Sequence, residues 1–297
     1  MINGWLNFYK KAGISSAYLV SLCKSCVEKG TKIGHAGTLD KEAEGILPIA
    51  IGKATKLIKF LLQCKKSYIF KVQFGAKTDT GDFSGKFVEF KKFIPSFKHV
   101  QNACKNFVGN IVQTPPRYSA IKIKGVRSYK LARQNINFEI IPKLVKIHRF
   151  FCLNFNEKEG VATFFLECGS GTYVRSLAQD LAEYLSSLCF VKAIQRISVG
   201  NFCLEQSLDS HLLQDKKKRF LFKENLVYCL LSPEYALDNA KFFLADDSQL
   251  KLIAQGMPCS FIYADMDYNL VFIRFQEDII AFGSLVNKIF IPSRVLV

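Results

Sequence analysis

The sequence is poor in the residues that build metal centres, and it has no segment that could form a membrane helix. It holds four histidines in 297 residues, and no second cysteine pair stands near Cys23-x-x-Cys26 to complete a zinc site. No metal is expected. No run reaches the ~18 apolar residues that a membrane helix needs, and the N-terminus lacks a signal-peptide pattern. A cytoplasmic protein without membrane contact is therefore expected. Internal repeats and low-complexity tracts are absent, which excludes solenoids and disordered tails. The ten cysteines are scattered through apolar surroundings, as buried thiols in a reducing compartment would be. Acidic residues are scarce as well, 25 against 41 basic ones, for a net charge of +16. That balance favours a polyanionic partner, unless it reflects only a Lys-, Ile-, Asn- and Phe-rich background.

What is present is enough to build a substantial core. Apolar residues make up 49% of the chain, with 27 phenylalanines, and the length suits one large domain and a small one. Residues 6–9 read as a short strand. Ser16 can cap a helix whose apolar face is Leu19, Leu22, Cys23, Cys26 and Val27, with Gly30 as its stop. Residues 46–51 read as a buried strand and 54–62 as a helix. Tyr68, Phe70, Val72 and Phe74 alternate along a strand, so Tyr68 shares its apolar face. Val100, Ala103, Cys104 and Phe107 suggest a helix ending at Gly109. Residues 144–155 and 161–168 suggest a hairpin, Thr172 or Tyr173 opens another helix, and 189–202 is strand-like. From about residue 240 the pattern turns to short strands at 260–264, 270–276 and 279–285.

Two basic stretches stand out. Residues 114–143 interleave Arg117, Lys122, Lys124, Arg127, Lys130 and Arg133 with Tyr118 and Tyr129, a mixture that suits phosphate contacts and base stacking, or an ordinary solvated loop. Lys216-Lys217-Lys218-Arg219 is either a second RNA contact or a solvated charge run.

The segment Gly34-His35-Ala36-Gly37-Thr38-Leu39-Asp40 places a lone carboxylate after two glycines and a histidine, just before an apolar strand. Glycines allow tight turns and close approach to a ligand. By itself Asp40 reads equally as a catalytic group or a helix cap. Taken together with later segments, it resembles the TruB family of tRNA pseudouridine synthases. The matching segments are Gly34 to Pro48; Lys66-Ser67-Tyr68; Thr78-Asp79-Thr80-Gly81-Asp82 with Gly85; Pro115-Pro116-Arg117-Tyr118-Ser119-Ala120; and Gly171-Thr172-Tyr173-Val174-Arg175. Five motifs in the family's order are far more specific than any one of them. Three places depart from the pattern. The family's Asp-Lys-Pro is Tyr9-Lys10-Lys11 here, the Pro-Leu-Ala-Thr after its aspartate is Lys41-Glu42-Ala43-Glu44, and its Leu-Arg-Arg is Ile194-Gln195-Arg196.

The resemblance implies an α+β pseudouridine synthase fold around a mixed, largely antiparallel sheet. Residues 1–238 would form the catalytic domain, with 114–143 as an RNA-binding insertion, and 239–297 a small PUA-like β domain. The implied reaction isomerises uridine 55 in the T-loop of tRNA to pseudouridine, with the tRNA T-arm as partner, no cofactor, and a monomer needing no protein partner. Asp40 would be the nucleophile, Arg175 its ion-pair partner, and Tyr68 a stacking platform with a part in proton transfer. His35 would hold the flipped-out nucleotide, Lys10 would support the pocket or a phosphate, and Tyr173 would pack beneath the site. From residue type alone, Tyr68 reads as a core aromatic, Arg175 as a surface arginine and His35 as a structural turn residue. An RNA-binding protein without activity, or a synthase acting on another RNA, is the alternative.

Overall fold

A computed structural model of the chain describes residues 2–297. Its centre is a ten-stranded mixed sheet. The path runs Leu208–Asp209, Gly4–Lys10, Glu44–Ile51, Cys189–Val199, Lys66–Phe74, Val161–Cys168, Lys143–Asn156 and Gly109–Gln113. Ile33–His35 and Phe202–Cys203 pair off this path. Pairing is antiparallel except at Gly4–Lys10 with Leu208–Asp209 and at Glu44–Ile51 with Cys189–Val199.

Alternation along Lys66–Phe74 fixes its register. Tyr68, Phe70, Val72 and Phe74 all turn to one buried face. A one-residue slip would expose all four, at roughly 1.5–3 kcal/mol for each large apolar side chain. That face packs under the helices Phe97–Lys105 and Val174–Tyr184, and Phe70 stacks on Phe164 with ring centroids 5.2 Å apart. Nearer the N-terminal strand, Phe8, Leu19 and Cys23 join Leu47 and Phe222 in a second core.

Gly45 explains how the parallel pair comes so close. It has φ +116°, and a Cβ there would lie 2.2 Å from the carbonyl oxygen of Arg196. Only glycine lets the Glu44–Ile51 and Cys189–Val199 strands meet at that point.

Several elements differ from expectation. The first helix spans Ser16–Lys24 and is capped by Ser15, whose side chain accepts from the Tyr18 amide. It stops at Ser25, not Gly30, because the Ser25 hydroxyl and the Cys26 thiol turn back onto the Leu22 carbonyl. The helix expected at 54–62 starts as a 3-10 turn, Gly52–Leu57, before Ile58–Gln63. Residues 114–143 are not all loop: a tight hairpin, Lys122–Ile123 with Val126–Arg127, leads into the helix Ser128–Arg133.

The C-terminal part forms a separate, curled five-stranded sheet, ordered Phe242–Leu244, Tyr268–Phe275, Asp278–Val286, Ile289–Val295 and Cys259–Ser260. The strand expected at 260–264 is reduced to Cys259–Ser260, and before it lies the helix Asp247–Ala254, started by a capping box between Asp246 and Gln249. Phe60 packs edge-on against Phe272 and Phe282, fastening this sheet to the larger domain. No helix among the described residues is long and apolar enough to cross a membrane.

Candidate active site

Asp40 sits at the end of a loop that is tied down from several sides. The Ser16 hydroxyl donates to the Leu39 carbonyl at 3.0 Å and accepts from the Leu39 amide at 2.9 Å. Beyond Asp40, the Gly13 amide donates to the Lys41 carbonyl and the Ala43 amide to the Asp40 carbonyl. The Lys10 ammonium, wholly buried, donates to the carbonyls of Lys11, Ile14, Lys41 and Ala43 at 2.5–3.2 Å. Lys10 thus spans the chain before and after the loop and has no surface left for a phosphate. Burial lowers its pKa to about 8, while Glu42 and Asp40 act in the opposite direction.

The Asp40 carboxylate is 48% exposed and meets the Arg175 guanidinium at 2.9 Å. Arg175 is only 6% exposed, and both of its terminal nitrogens have further partners. It bonds the carbonyls of Thr80 at 3.0 Å and Tyr118 at 2.9 Å, with the Asp82 carboxylate 3.6 Å away. The start of the Val174–Tyr184 helix is itself held by Gln113, which clamps both the amide and the carbonyl of Tyr173. The arginine is therefore presented to Asp40 by a rigid frame.

A cavity of about 420 Å³ opens beside this pair, within the roughly 300–1,000 Å³ of small-ligand sites. Tyr68, Lys66, Arg196, Tyr173, Ser119 and Thr172 are among the residues lining it with Asp40 and Arg175. Tyr68 is almost fully buried and contributes an aromatic ring to the wall. Burial raises the pKa of its phenol, opposed by the neighbouring Arg196, to which the hydroxyl is hydrogen-bonded. Burial also raises the Tyr173 phenol, while a bond to Ser119 lowers it. His35 lies on the short strand Ile33–His35, outside the cavity wall, with its Nδ1 buried and unpaired. Burial, reinforced by Arg196, lowers its pKa.

Arg196 and Lys66 matter more here than sequence reasoning gave them credit for. Arg196 is buried and donates from Nε to the Ile46 carbonyl and from NH2 to the Gly37 carbonyl, on opposite sides of the Asp40 loop. Lys66 donates to the carbonyls of Leu62 and Cys64. Burial brings its pKa down to about 8. It is charged below that pH and neutral above it, so attraction for a phosphate-bearing ligand should weaken as pH rises through about 8. A KM profile from pH 7 to 9 checks this: KM should climb in the wild type and stay flatter in Lys66→Met.

Comparison with known proteins assigns the chain to a family. The N-terminal domain model of the TruB family pseudouridylate synthases matches residues 24–174. The chain belongs to the TruB family. It is 43% identical over 295 residues to tRNA pseudouridine synthase B of Rickettsia akari (strain Hartford), covering 99% of each chain. Identity with the same-named protein of Rickettsia felis (strain ATCC VR-1525 / URRWXCal2) is 45% over 274 residues, 92% of this chain and 79% of that one. A chain in the crystal structure of a Cbf5-Nop10-Gar1 complex superposes with TM-score 0.73 over 99% of this chain and 85% of its own, at 22% identity. That likeness shows a shared fold.

As a TruB-family pseudouridine synthase the chain is an isomerase, and its three departures from the family pattern can be located. Tyr9, Glu44 and Gln195 lie on adjacent strands and touch each other. The Gln195 amide donates to the Tyr9 hydroxyl at 2.8 Å, and that hydroxyl is also bonded to Glu44. Glu42, the other added carboxylate, shares a shallow cleft with Asp40 and Asp82.

Proposed function

We propose that this chain converts uridine 55 in the T-loop of tRNA to pseudouridine, acting as a monomer in the cytoplasm without a protein partner. The observation that carries this reading is the Asp40–Arg175 ion pair at the mouth of a cavity walled by Tyr68. The tRNA substrate is supported by relatives called tRNA pseudouridine synthase B at 43% and 45% identity.

The reaction breaks the N1–C1′ bond, turns the uracil within the site, joins C5 to C1′ and releases the C5 proton. The target uridine must first leave its stack. Asp40 supplies the carboxylate, which attacks the sugar or ring carbon or stabilises a cationic sugar. Arg175 keeps that carboxylate ionised and aimed. Tyr68 stacks on the loose base and takes part in moving the C5 proton. Tyr173 packs beneath the base, His35 helps hold the flipped-out nucleotide, and Lys10 positions the loop through its four carbonyl bonds. The 114–143 segment and the C-terminal sheet grip the folded T-arm, whose shape and 2′-hydroxyls are what a basic surface can read.

Tritium release from C5-labelled uridine in unmodified tRNA tests the reading. Release by the pure protein establishes turnover. Tight binding with no release would instead make this an RNA-binding protein whose added carboxylates after Asp40 have cost it catalysis. Tyr68→Leu should lower kcat by roughly tenfold or more, the scale of one lost base stack, while chemical denaturation should register only the lost hydroxyl bond to Arg196, about 1–3 kcal/mol, because the apolar contact survives. Unchanged turnover would leave Tyr68 a core residue only.

A further inference from the structure

Asp40, Arg175 and Tyr68 account for the cavity, but not for the apolar surface next to it. The hairpin of Ala76–Thr78 and Phe87–Phe90 projects from the large domain, and every residue of its second strand is exposed. Phe90 is 72% exposed and Phe87 56%, with Phe83 and Phe93 about half exposed. Large aromatic side chains left open this close together are unusual on a protein that has no use for them.

The local backbone arranges these rings into a platform. Thr78 pairs with Phe87 but Lys77 with Glu89, so Val88 is an extra residue in the second strand. This bulge brings Phe87 and Phe90 together, stacked with centroids 5.3 Å apart and planes 30° from parallel. Phe87 rests edge-on against Phe190, which anchors the pair to the central sheet. Lys86, Lys91 and Lys92 are exposed beside it in the chain, with the exposed Glu89 between the two rings, and Lys192 is exposed two residues beyond Phe190.

The platform is continuous with the site. Phe83 bonds through its amide to the Val191 carbonyl, next to Phe190. With Lys192 it lines the shallow cleft that also holds Asp40 and Asp82.

The geometry points to the Phe87–Phe90 hairpin as a second RNA-contact surface, on which unpaired nucleotides of the RNA whose uridine enters the Asp40 cavity stack between lysines. It rests on the reading that RNA is the substrate, and names a contact outside the uridine cavity, the 114–143 segment and the C-terminal sheet. Two observations select this occupant. Four exposed lysines stand near the aromatic pair or its Phe190 anchor in the chain, against one exposed carboxylate, Glu89, an excess that suits phosphates and base faces together. A second copy of a chain carrying a net charge of +16 would bring like charges against them.

The test is to titrate a labelled, unmodified tRNA transcript against wild type and Phe87→Ala/Phe90→Ala, following tritium release on the same preparations. The alanine pair should bind at least about fivefold more weakly, the lower end of one base–aromatic stack. KM should rise by the same factor with kcat unchanged. Phe87→Tyr/Phe90→Tyr keeps flat rings and should bind like wild type, whereas Phe87→Leu/Phe90→Leu keeps apolar area alone and should not. Lys91→Ser/Lys92→Ser, at exposed positions, should also weaken binding and flatten its salt dependence. Equal affinity of wild type and the alanine pair overturns the proposal, whether or not wild type turns over. Failure of wild type to release tritium overturns the catalytic reading alone, because the binding comparison still decides this surface. Full affinity in the leucine pair removes stacking, and a wild-type dimer in sedimentation that the alanine pair abolishes gives the surface a second copy of the chain as occupant; either result also overturns the proposal.

Discussion

Asp40→Asn is expected to fold, bind unmodified tRNA as wild type does, and release no tritium. The amide keeps the size of the carboxylate but has no negative charge with which to attack carbon or to balance a cationic sugar. Losing a nucleophile commonly costs on the order of 10⁴-fold or more in turnover, so the product should fall below detection. The fold should scarcely respond. Asp40 is about half exposed, and an exposed ion pair is worth about 1 kcal/mol or less. Arg175, the buried partner, keeps the carbonyls of Thr80 and Tyr118 and the nearby Asp82. Removing the Asp40 charge therefore does not strand a buried cation. Parallel melts and filter-binding assays on the two proteins separate the outcomes. Tritium release at the wild-type rate would remove Asp40 from the chemistry and turn attention to Asp82 and Glu42, the other carboxylates at its cleft.

The Asp40–Arg175 meeting was legible because each residue sits inside a compact motif, and the two motifs belong to one family pattern. The structure brings them to 2.9 Å although they stand 135 positions apart in the sequence, a closeness that no local periodicity encodes. Tyr68 was legible for a different reason, since a period of two along its strand assigns its face directly. The supports of the Asp40 loop were far harder to see. Ser16 reads locally as a helix cap, yet Ser15 does the capping and frees Ser16 to clamp Leu39. Lys10 reads as a cation available to a phosphate, yet it is spent on four backbone carbonyls. Each is a contact between distant segments, and the residue type is compatible with several partners until the fold selects one.

The same limit explains the C-terminal part. Short strands at 270–276 and 279–285 were visible from their apolar runs and became the strands Tyr268–Phe275 and Asp278–Val286 of the second sheet, each buried along a continuous run, 271–273 and 279–283, with no period of two. The last strand, Ile289–Val295, carries Pro292 and Arg294 and alternates weakly, so only pairing with its neighbour makes it a strand. The helix Asp247–Ala254 lacks a strong apolar face but has a complete capping box, a signal of four residues that hydrophobic patterning overlooks.

Arg196→Met should be the most damaging single change to the fold around the site. The methionine fills much of the same volume, so the loss is chiefly polar. The Ile46 and Gly37 carbonyls lose their donors, and the Tyr68 hydroxyl loses its partner, all where water cannot easily substitute. Each buried polar group left unpaired costs about 1–3 kcal/mol, so these three together cost several kcal/mol, which in a chain of this size lowers the melting temperature by on the order of 10 °C. Turnover should fall further than stability alone predicts, because Gly37 lies three residues before Asp40 and Tyr68 walls the same cavity. Arg196→Lys separates the two effects. A lysine keeps the charge but cannot span both carbonyls with one planar group, so it should recover part of the melting temperature and little of the kcat. Melting and tritium release on both variants decide the matter. If Arg196→Met melts with wild type, the guanidinium is not what joins the Asp40 loop to the sheet, and the Gly45 contact, where no Cβ fits against the Arg196 backbone, must hold those strands together by itself.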